Sequence, residues 1–161
     1  DEVGIEMYGD KGLAGGMSWY KSADHKPSVV FRPYEPPAQE PSAEFPFWFC
    51  TGRLLEHWHT GTMTRRVEEL DRALPEALLS MNAEDAAALG VNDGDMVQLT
   101  SPHGTMQIKV SLAGRVEPPS GMVFAPFFAA ETLINRVVQD YYCPLSKETD
   151  YKKTCVSIKK A

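Results

Sequence analysis

Cysteine is scarce in this sequence, which has only Cys50, Cys143 and Cys155 among its 161 residues. Three irregularly spaced cysteines are too few for a disulfide framework or for the four thiolates of an iron–sulfur cluster. Long apolar runs are also missing, because no stretch approaches the roughly 20 residues that a membrane-spanning helix needs. We therefore expect no membrane span and no iron–sulfur cluster held by this chain alone.

Basic residues are also few: the sequence has 16 Lys and Arg against 22 Asp and Glu, which gives a net charge of -6. A domain that binds nucleic acid usually carries a basic surface, which neutralises the phosphates of the strand. The acidic balance of this chain therefore argues against nucleic acid as its main partner.

The length and the 43% hydrophobic content are sufficient for one sizeable core. Residues 1–44 differ from the rest, because they contain little apolar surface and include the proline-rich segment Glu35–Pro41. We predict that residues 1–44 form an extended arm or linker that packs on another part of a larger enzyme. Residues 45–161 are predicted to form the folded domain.

Within that domain, short apolar segments are separated by turn residues, a pattern typical of strands. The predicted strands are Phe45–Cys50, Leu78–Met81, Met96–Ser101, Thr105–Leu112, Met122–Ala125 and Cys155–Ile158. Several short strands with few helices favour a closed β-barrel over a layered sheet. The fold class is therefore α+β and mainly β.

Two short helices are predicted beside these strands. Asn82 is a suitable N-cap for a helix over Ala83–Leu89, which ends at Gly90. A second helix is predicted over Glu131–Val138. Its apolar residues are expected to face the core: Leu133, Ile134, Val137 and Val138.

The stretch Thr51–Arg66, TGRLLEHWHTGTMTRR, has the most distinctive chemistry in the chain. It contains two histidines, three arginines and four threonines, and Glu56 is its only acid. Guanidinium, imidazole, hydroxyl and glycine-exposed amide groups all donate hydrogen bonds to phosphate oxygens. Trp58 adds a flat face that suits stacking on a base or a pterin. The stretch is therefore predicted to bind a large, flat, multiply anionic ligand.

Two other interpretations of this stretch are open from the residues alone. Arginine and threonine are also common in loops that are simply solvated. Alternatively, His57 and His59 could form a zinc site with Cys50 or His103, although no CxxC or HExxH spacing supports zinc.

Three separated blocks of the sequence are distinctive together. They are Thr51–Arg66, then Pro126–Asn135 (PFFAAETLIN), and finally Pro144–Lys153 (PLSKETDYKK). On these blocks the chain resembles the C-terminal, cofactor-binding domain of molybdopterin-dependent oxidoreductases of the dimethyl sulfoxide reductase superfamily. Within that superfamily it is most similar to periplasmic nitrate reductase catalytic subunits. Formate dehydrogenases and assimilatory nitrate reductases resemble the first block but much less the other two.

This resemblance implies a double-psi β-barrel that closes over a molybdenum ion held by two molybdopterin guanine dinucleotides. It also implies these cofactor-binding residues: Thr51, Gly52, Arg53, Leu54, Leu55, Glu56, His57, Trp58, His59, Thr60, Asn135 and Lys152. Phe127 would face the substrate channel, and no residue of this chain would act as a catalytic group or a metal ligand. The sequence departs from the family at Ala129 and Cys143, where acids are usual.

The resemblance further implies a nitrate reductase that converts nitrate to nitrite in the periplasm. The chain would be its C-terminal portion or a small subunit, and it would be inactive by itself. A larger portion would carry a [4Fe–4S] cluster and the molybdenum ligand, and a c-type cytochrome would donate electrons. The alternatives are another molybdoenzyme, such as a formate dehydrogenase, or a non-catalytic double-psi barrel that acts as a binding or assembly module.

Overall fold

The structure, a computed structural model, describes residues 31, 33–144 and 146–161. Residues 1–30 and 32 of the predicted arm lie outside the described residues, so the division after residue 44 stays a prediction. The compact unit that carries the barrel is Pro37–Ala161. At its start, Gln39 Oε1 accepts a hydrogen bond of 3.1 Å from the backbone N–H of Cys155. Gln39 is therefore bonded to the last strand of the barrel.

Six strands form a closed barrel in the order β1-β5-β2-β4-β3-β6. Their bounds are β1 Phe47–Gly52, β2 Leu79–Met81, β3 Met96–Ser101, β4 Gly104–Ser111, β5 Met122–Pro126 and β6 Thr154–Lys160. The pairs β1/β5 and β2/β4 are parallel, and the other neighbouring pairs are antiparallel. The predicted fold class, a mainly β double-psi barrel, is confirmed.

The β3–β4 hairpin illustrates how alternation in the sequence becomes a barrel wall. Val97 pairs with Ile108, and Leu99 pairs with Met106. These four side chains are all buried, whereas their neighbours along each strand mostly face outward. A strand whose side chains alternate in this way can have one face in the core and the other in water.

The core of the barrel is continuous, because inward side chains from all six strands meet at its centre. Its buried members are Phe47, Phe49, Leu79, Met81, Ala86, Val91, Val97, Leu99, Met106, Ile108, Val110, Val123, Ala125, Ile134, Val137, Val138, Val156 and Ile158. Each large side chain that leaves water contributes about 1.5–3 kcal/mol. Phe49, at 0% exposure, lies on the strand that pairs with both β5 and β6.

In the described part of the chain, two short α-helices accompany the barrel, α1 at Glu68–Ala73 and α2 at Ala83–Leu89. The prediction for α2 is confirmed in its details, since Asn82 Oδ1 accepts from the Glu84 backbone N–H at 2.9 Å. Gly90 ends this helix at a φ of 67°, which glycine adopts at little cost. Helices of six and seven residues are too short to cross a membrane, and no longer apolar helix occurs in the described ranges.

The predicted helix over Glu131–Val138 is wrong, because only a 3-10 turn at Ile134–Arg136 forms there. No side chain caps its start, and Leu133 is 48% exposed rather than turned to the core. The carbonyl of Arg136 lies against Gly104, in the space where a Cβ would stand. The backbone conformation of this segment is therefore set by tight packing on the β3–β4 hairpin and not by the helical periodicity of its sequence.

Helix α1 was not predicted from the sequence. It has no buried residue, so it carries no apolar stripe that would reveal it. Its one local signal is acid in the first turn, Glu68, Glu69 and Asp71, which the positive end of a helix dipole favours.

Asp95 lies in the turn between α2 and β3 and joins this turn to Lys160, the last residue of β6. Its Oδ2 accepts from the Asn92 backbone N–H at 2.8 Å and lies 2.6 Å from Lys160 Nζ. These bonds, with that of Lys160 the strongest, lower the pKa of Asp95. The carboxylate is therefore held in its charged form by the folded state.

Asp95→Asn should lower the free energy of unfolding at neutral pH, because the charge that attracts Lys160 is lost. A carboxylate whose folded-state pKa lies below its unfolded value of roughly 3.9 contributes stability above that value. The contribution is lost as the pH falls through the lower, folded-state pKa. Urea unfolding at several pH values should therefore show a difference from wild type at neutral pH that disappears in acid. A difference that persists unchanged in acid would contradict this role.

Candidate functional site

The candidate site lies at the rim of the barrel where β1 and β5 end side by side. Their parallel register pairs Thr51 with Ala125 and Gly52 with Pro126. The Thr51–Arg66 stretch and the Phe127–Phe128 pair therefore leave the barrel at the same place. A side chain at position 52 would displace the ring of Phe124, since a Cβ there would lie 2.5 Å from that ring.

A cleft of about 590 Å³ opens at this rim. Seven of the predicted site residues line it: Thr51, Arg53, His59, Thr60, Phe127, Asn135 and Lys152. Residues that the prediction did not include complete its wall: Ala129, Thr132, Leu133, Ile134, Glu148, Thr149 and Tyr151. All three sequence blocks thus contribute to one cleft, whose size is in the range of small-molecule sites, roughly 300–1,000 Å³.

Arg53, His59 and Phe127 form a cluster on one side of the cleft. The guanidinium of Arg53 lies 5.7 Å from the centre of the Phe127 ring. The His59 ring meets the same phenyl ring edge-on, with 5.3 Å between the centroids. His59 has a φ of 53°, an uncommon backbone conformation for a residue other than glycine. In the part of the chain that the structure describes, Arg53 has no carboxylate partner, so its charge is available to a ligand.

On another side of the cleft, Thr51 fastens the third sequence block to the end of β1. Its hydroxyl donates to the carbonyl of Tyr151 at 3.0 Å. Its own carbonyl accepts a hydrogen bond from Lys152 Nζ. Thr51 is only 3% exposed, whereas Tyr151 is 43% exposed, so this attachment is partly buried. Lys152 therefore reaches the cleft from a fixed backbone.

Gln139, which was not among the predicted residues, also holds the third sequence block, Pro144–Lys153, in place. Its side chain is 2% exposed and donates through Nε2 to the carbonyl of Asp150 at 2.9 Å. Its backbone N–H donates to Thr154 Oγ1, also at 2.9 Å. Gln139 thereby links the segment before Tyr151 to the start of β6. No local pattern marks a buried glutamine whose partner is 11 residues away.

The chain matches the family described as Molydopterin dinucleotide binding domain over residues 47–156. It belongs to this family. The domain is the C-terminal cofactor-binding domain of the dimethyl sulfoxide reductase superfamily, as the resemblance predicted. The match covers all six strands up to the middle of β6.

Among solved structures, the chain is similar to acetylene hydratase from Pelobacter acetylenicus, with 15% identity and a TM-score of 0.63. That similarity covers 73% of this chain and 18% of the acetylene hydratase chain. The rationally designed mkDPBB_sym_86 protein is a weaker match, with 17% identity, a TM-score of 0.39 and coverage of 76% of this chain and 99% of the designed one. The first similarity shows a shared fold, and the chain spans about a fifth of that enzyme's length.

The donors in the cleft of this dinucleotide-binding domain fit a phosphate-bearing cofactor. Arg53 and Lys152 supply positive charge, and Asn135 and several threonines supply neutral donors. Among the described residues that line the cleft, Glu148 is the one acidic side chain. This donor set suits the phosphates and ribose hydroxyls of a dinucleotide, which is the group that the family binds.

His57 does not reach the cleft of the domain. It is 2% exposed, its Nε2 lies 2.8 Å from the Leu74 carbonyl, and its Nδ1 lies 3.2 Å from Thr64 Oγ1. The imidazole also lies against Phe128, with 4.2 Å between the ring centroids. Both ring nitrogens thus have partners inside the domain, and His57 fixes the loop to the segment after α1.

Other residues predicted to bind cofactor also lie away from the cleft. Leu55 is 88% exposed and Trp58 is 68% exposed, and neither lines the cleft. Leu54 and Glu56 line a separate depression. The sequence identified the stretch, but it could not tell which of its side chains line the cleft.

Arg65, the second cation of the stretch, is neutralised within the protein. Its guanidinium lies 3.0 Å from Asp71 Oδ1 and 3.2 Å from Glu131 Oε2. Hydrogen bonds to these two carboxylates, Asp71 first, raise the pKa of Arg65. Glu131 has a lowered pKa, caused first by its own backbone N–H and then by Arg65. Arg65 thus joins the loop to α1 and to the segment after Phe128.

The zinc interpretation gains no support from the geometry. Within the described ranges, no three His, Cys, Asp or Glu side chains come together in a group that could hold a metal ion. The nitrogens of His57 are engaged as described above, whereas His59 faces Phe127 in the cleft. The two histidines therefore point to different surroundings.

This difference predicts that substitutions at positions 57 and 59 change the stability of the domain by unequal amounts. His57→Ala should lower the free energy of unfolding by about 2–4 kcal/mol, because it removes two buried hydrogen bonds and leaves a cavity. His59→Ala, at an exposed position where alanine must adopt the same positive φ, should change it by less than roughly 1 kcal/mol. Urea unfolding of both variants measures the contrast. Equal destabilisation by the two would contradict the placement of His57.

Proposed function

We propose that this domain is the cofactor-binding portion of a molybdenum nitrate reductase, where it clamps two molybdopterin guanine dinucleotides. The observation that carries the proposal is the meeting of three separated sequence blocks in one cleft, with Arg53 unpaired among the described residues. The choice of nitrate is supported by the resemblance of the second and third blocks to periplasmic nitrate reductases, because formate dehydrogenases share these two blocks much less.

In this proposal the chain's own residues bind and orient the cofactor. Arg53 and Lys152 hold phosphate oxygens, while Asn135 and the threonine hydroxyls complete the hydrogen bonding. Phe127, half-buried beside Arg53 and His59, shapes a wall toward the substrate and excludes water. When bound, the molybdenum group supplies oxygen-atom transfer, which takes nitrate to nitrite. The domain contributes neither a catalytic acid nor a base.

The other parts of the enzyme follow from the same proposal. A larger portion would carry a [4Fe–4S] cluster and the protein ligand to molybdenum, and a c-type cytochrome would deliver electrons. The resemblance to periplasmic nitrate reductases supports a periplasmic location for the assembly. The coverage of only 18% of acetylene hydratase is consistent with a domain that works inside a much longer enzyme.

Two alternatives remain as second candidates. A formate dehydrogenase would share the first sequence block and the cofactor. A non-catalytic binding module would share the barrel but would carry neither molybdenum nor pterin. Acetylene hydratase is named for a third chemistry on the same fold, so the barrel by itself does not select the substrate.

Arg53→Lys should reduce cofactor retention in the assembled enzyme, because the bidentate guanidinium is lost while the charge remains. A lost hydrogen bond to a charged group, worth about 1.5–3 kcal/mol, corresponds to roughly tenfold or more in affinity. Molybdenum and pterin contents of the purified protein are the measurement. Arg66→Lys is the matched control, because Arg66 is exposed in the same loop and does not line the cleft. Equal contents in both variants would count against the assignment of Arg53.

The assembled enzyme should reduce nitrate with a reduced dye, and the chain alone should form no nitrite. Formate oxidation without nitrate reduction would move the assignment to the formate dehydrogenases. Purification of the assembly with neither molybdenum nor pterin would favour the binding module. Nitrite formation by the chain alone would refute the proposal.

A further inference from the structure

The loop that follows β1 presents different residues to two separate surfaces. Arg53 and His59 face the cofactor cleft, whereas Leu54 and Glu56 line a depression of about 230 Å³. No described residue lines both surfaces. The loop therefore has a ligand face and a rear face, and Glu56 belongs to the rear.

On this rear face, Glu56 is the more buried partner of an ion pair. Its side chain is 11% exposed, and its Oε1 lies 2.5 Å from Nη1 of Arg115, which is 70% exposed. A carboxylate that is largely withdrawn from water needs a cation or several donors to remain charged at low cost. Arg115 is the partner that the structure gives it.

Arg115 belongs to the connection between β4 and β5, and this connection is fixed at both ends. At its start, the Leu112 backbone N–H donates to Asp93 Oδ1 at 2.7 Å. At its end, Asp85 accepts from the Ser120 hydroxyl at 2.7 Å and from the Gly121 backbone N–H at 2.8 Å. The guanidinium is thus carried by an anchored segment, and it can hold the loop in place.

We propose that Arg115 is a positioning residue, which sets the cofactor-binding conformation of the loop through Glu56. If Arg115 is removed, the Glu56 carboxylate has no cation and turns toward water. The backbone on either side moves with it, and this backbone carries Arg53 and His59. The identity of the ligand rests on the proposed function, but the effect on the loop does not.

The first measurement is independent of any ligand. In Arg115→Ala, amide hydrogen exchange over residues 53–60 of the full chain should be about 3–10-fold faster than in wild type, since loss of a charged partner favours local opening. Arg72→Ala is the matched control, because Arg72 is also 70% exposed and forms an ion pair of the same length. Its Nη2 lies 2.5 Å from Glu68 Oε1. That control should leave exchange over residues 53–60 unchanged. Unchanged exchange in Arg115→Ala would overturn the proposal.

Two double variants distinguish loss of the Glu56–Arg115 ion pair from a general loss of structure. Exchanging the charges, with Glu56→Arg and Arg115→Glu, should restore most of the slow exchange. Glu56→Gln in the Arg115→Ala background should restore part of it, because a buried amide needs no cation. If neither double variant is slower than Arg115→Ala, the ion pair is not what holds the loop.

The second measurement uses guanosine diphosphate as a probe of the cleft. Its affinity for the full chain should fall about 3–10-fold in Arg115→Ala, in line with the loss of loop order, and should be unchanged in Arg72→Ala. If wild type does not bind the probe while the exchange results hold, the proposed ligand is wrong and the positioning role stands. If wild type binds it and Arg115→Ala binds equally well, the link from Arg115 to the cleft is refuted.

Discussion

The parallel pairing of β1 with β5 is the constraint on which the cleft depends. Parallel neighbours end on the same side of a sheet, so the chain leaves both strands at one rim of the barrel. The pairing of Gly52 with Pro126 then places Arg53 beside Phe127, with 5.7 Å between the guanidinium and the ring centre. An antiparallel pair would send the two segments to opposite ends.

The antiparallel pairing of β6 with β1 brings the third block to the same rim. Phe49 pairs with Thr154, so the residues just before β6 arrive where β1 ends. The two hydrogen bonds between Thr51 and the Tyr151–Lys152 segment follow from this register. The barrel therefore unites stretches that lie about 100 positions apart in sequence, and Gln139 supports the last of them. Ligand binding in this domain is a property of topology more than of any single motif.

Two residues of the same type have different environments in this loop: one lines the cleft, and the other is bonded within the fold. Arg53 is available in the cleft, whereas Arg65 is held by two carboxylates. His59 lies against Phe127 in the cleft, and His57 lies against Phe128 in the interior. Between Arg53 and His59, the side chains of Glu56 and His57 contact the protein behind the loop, and these contacts order the donors that line the cleft. Such prior ordering reduces the entropy that a ligand must otherwise remove.

The sequence by itself determined the features that depend on neighbouring residues. Alternation fixed the β3–β4 hairpin, and Asn82 with Gly90 fixed α2, because strand faces and helix caps are set within a few positions. Tertiary structure alone decided the turn at Ile134–Arg136, where the close approach of Gly104 prevails over a helical pattern. It also decided that Glu56 faces Arg115 rather than the cleft, because its partner is 59 positions away and no local spacing encodes it.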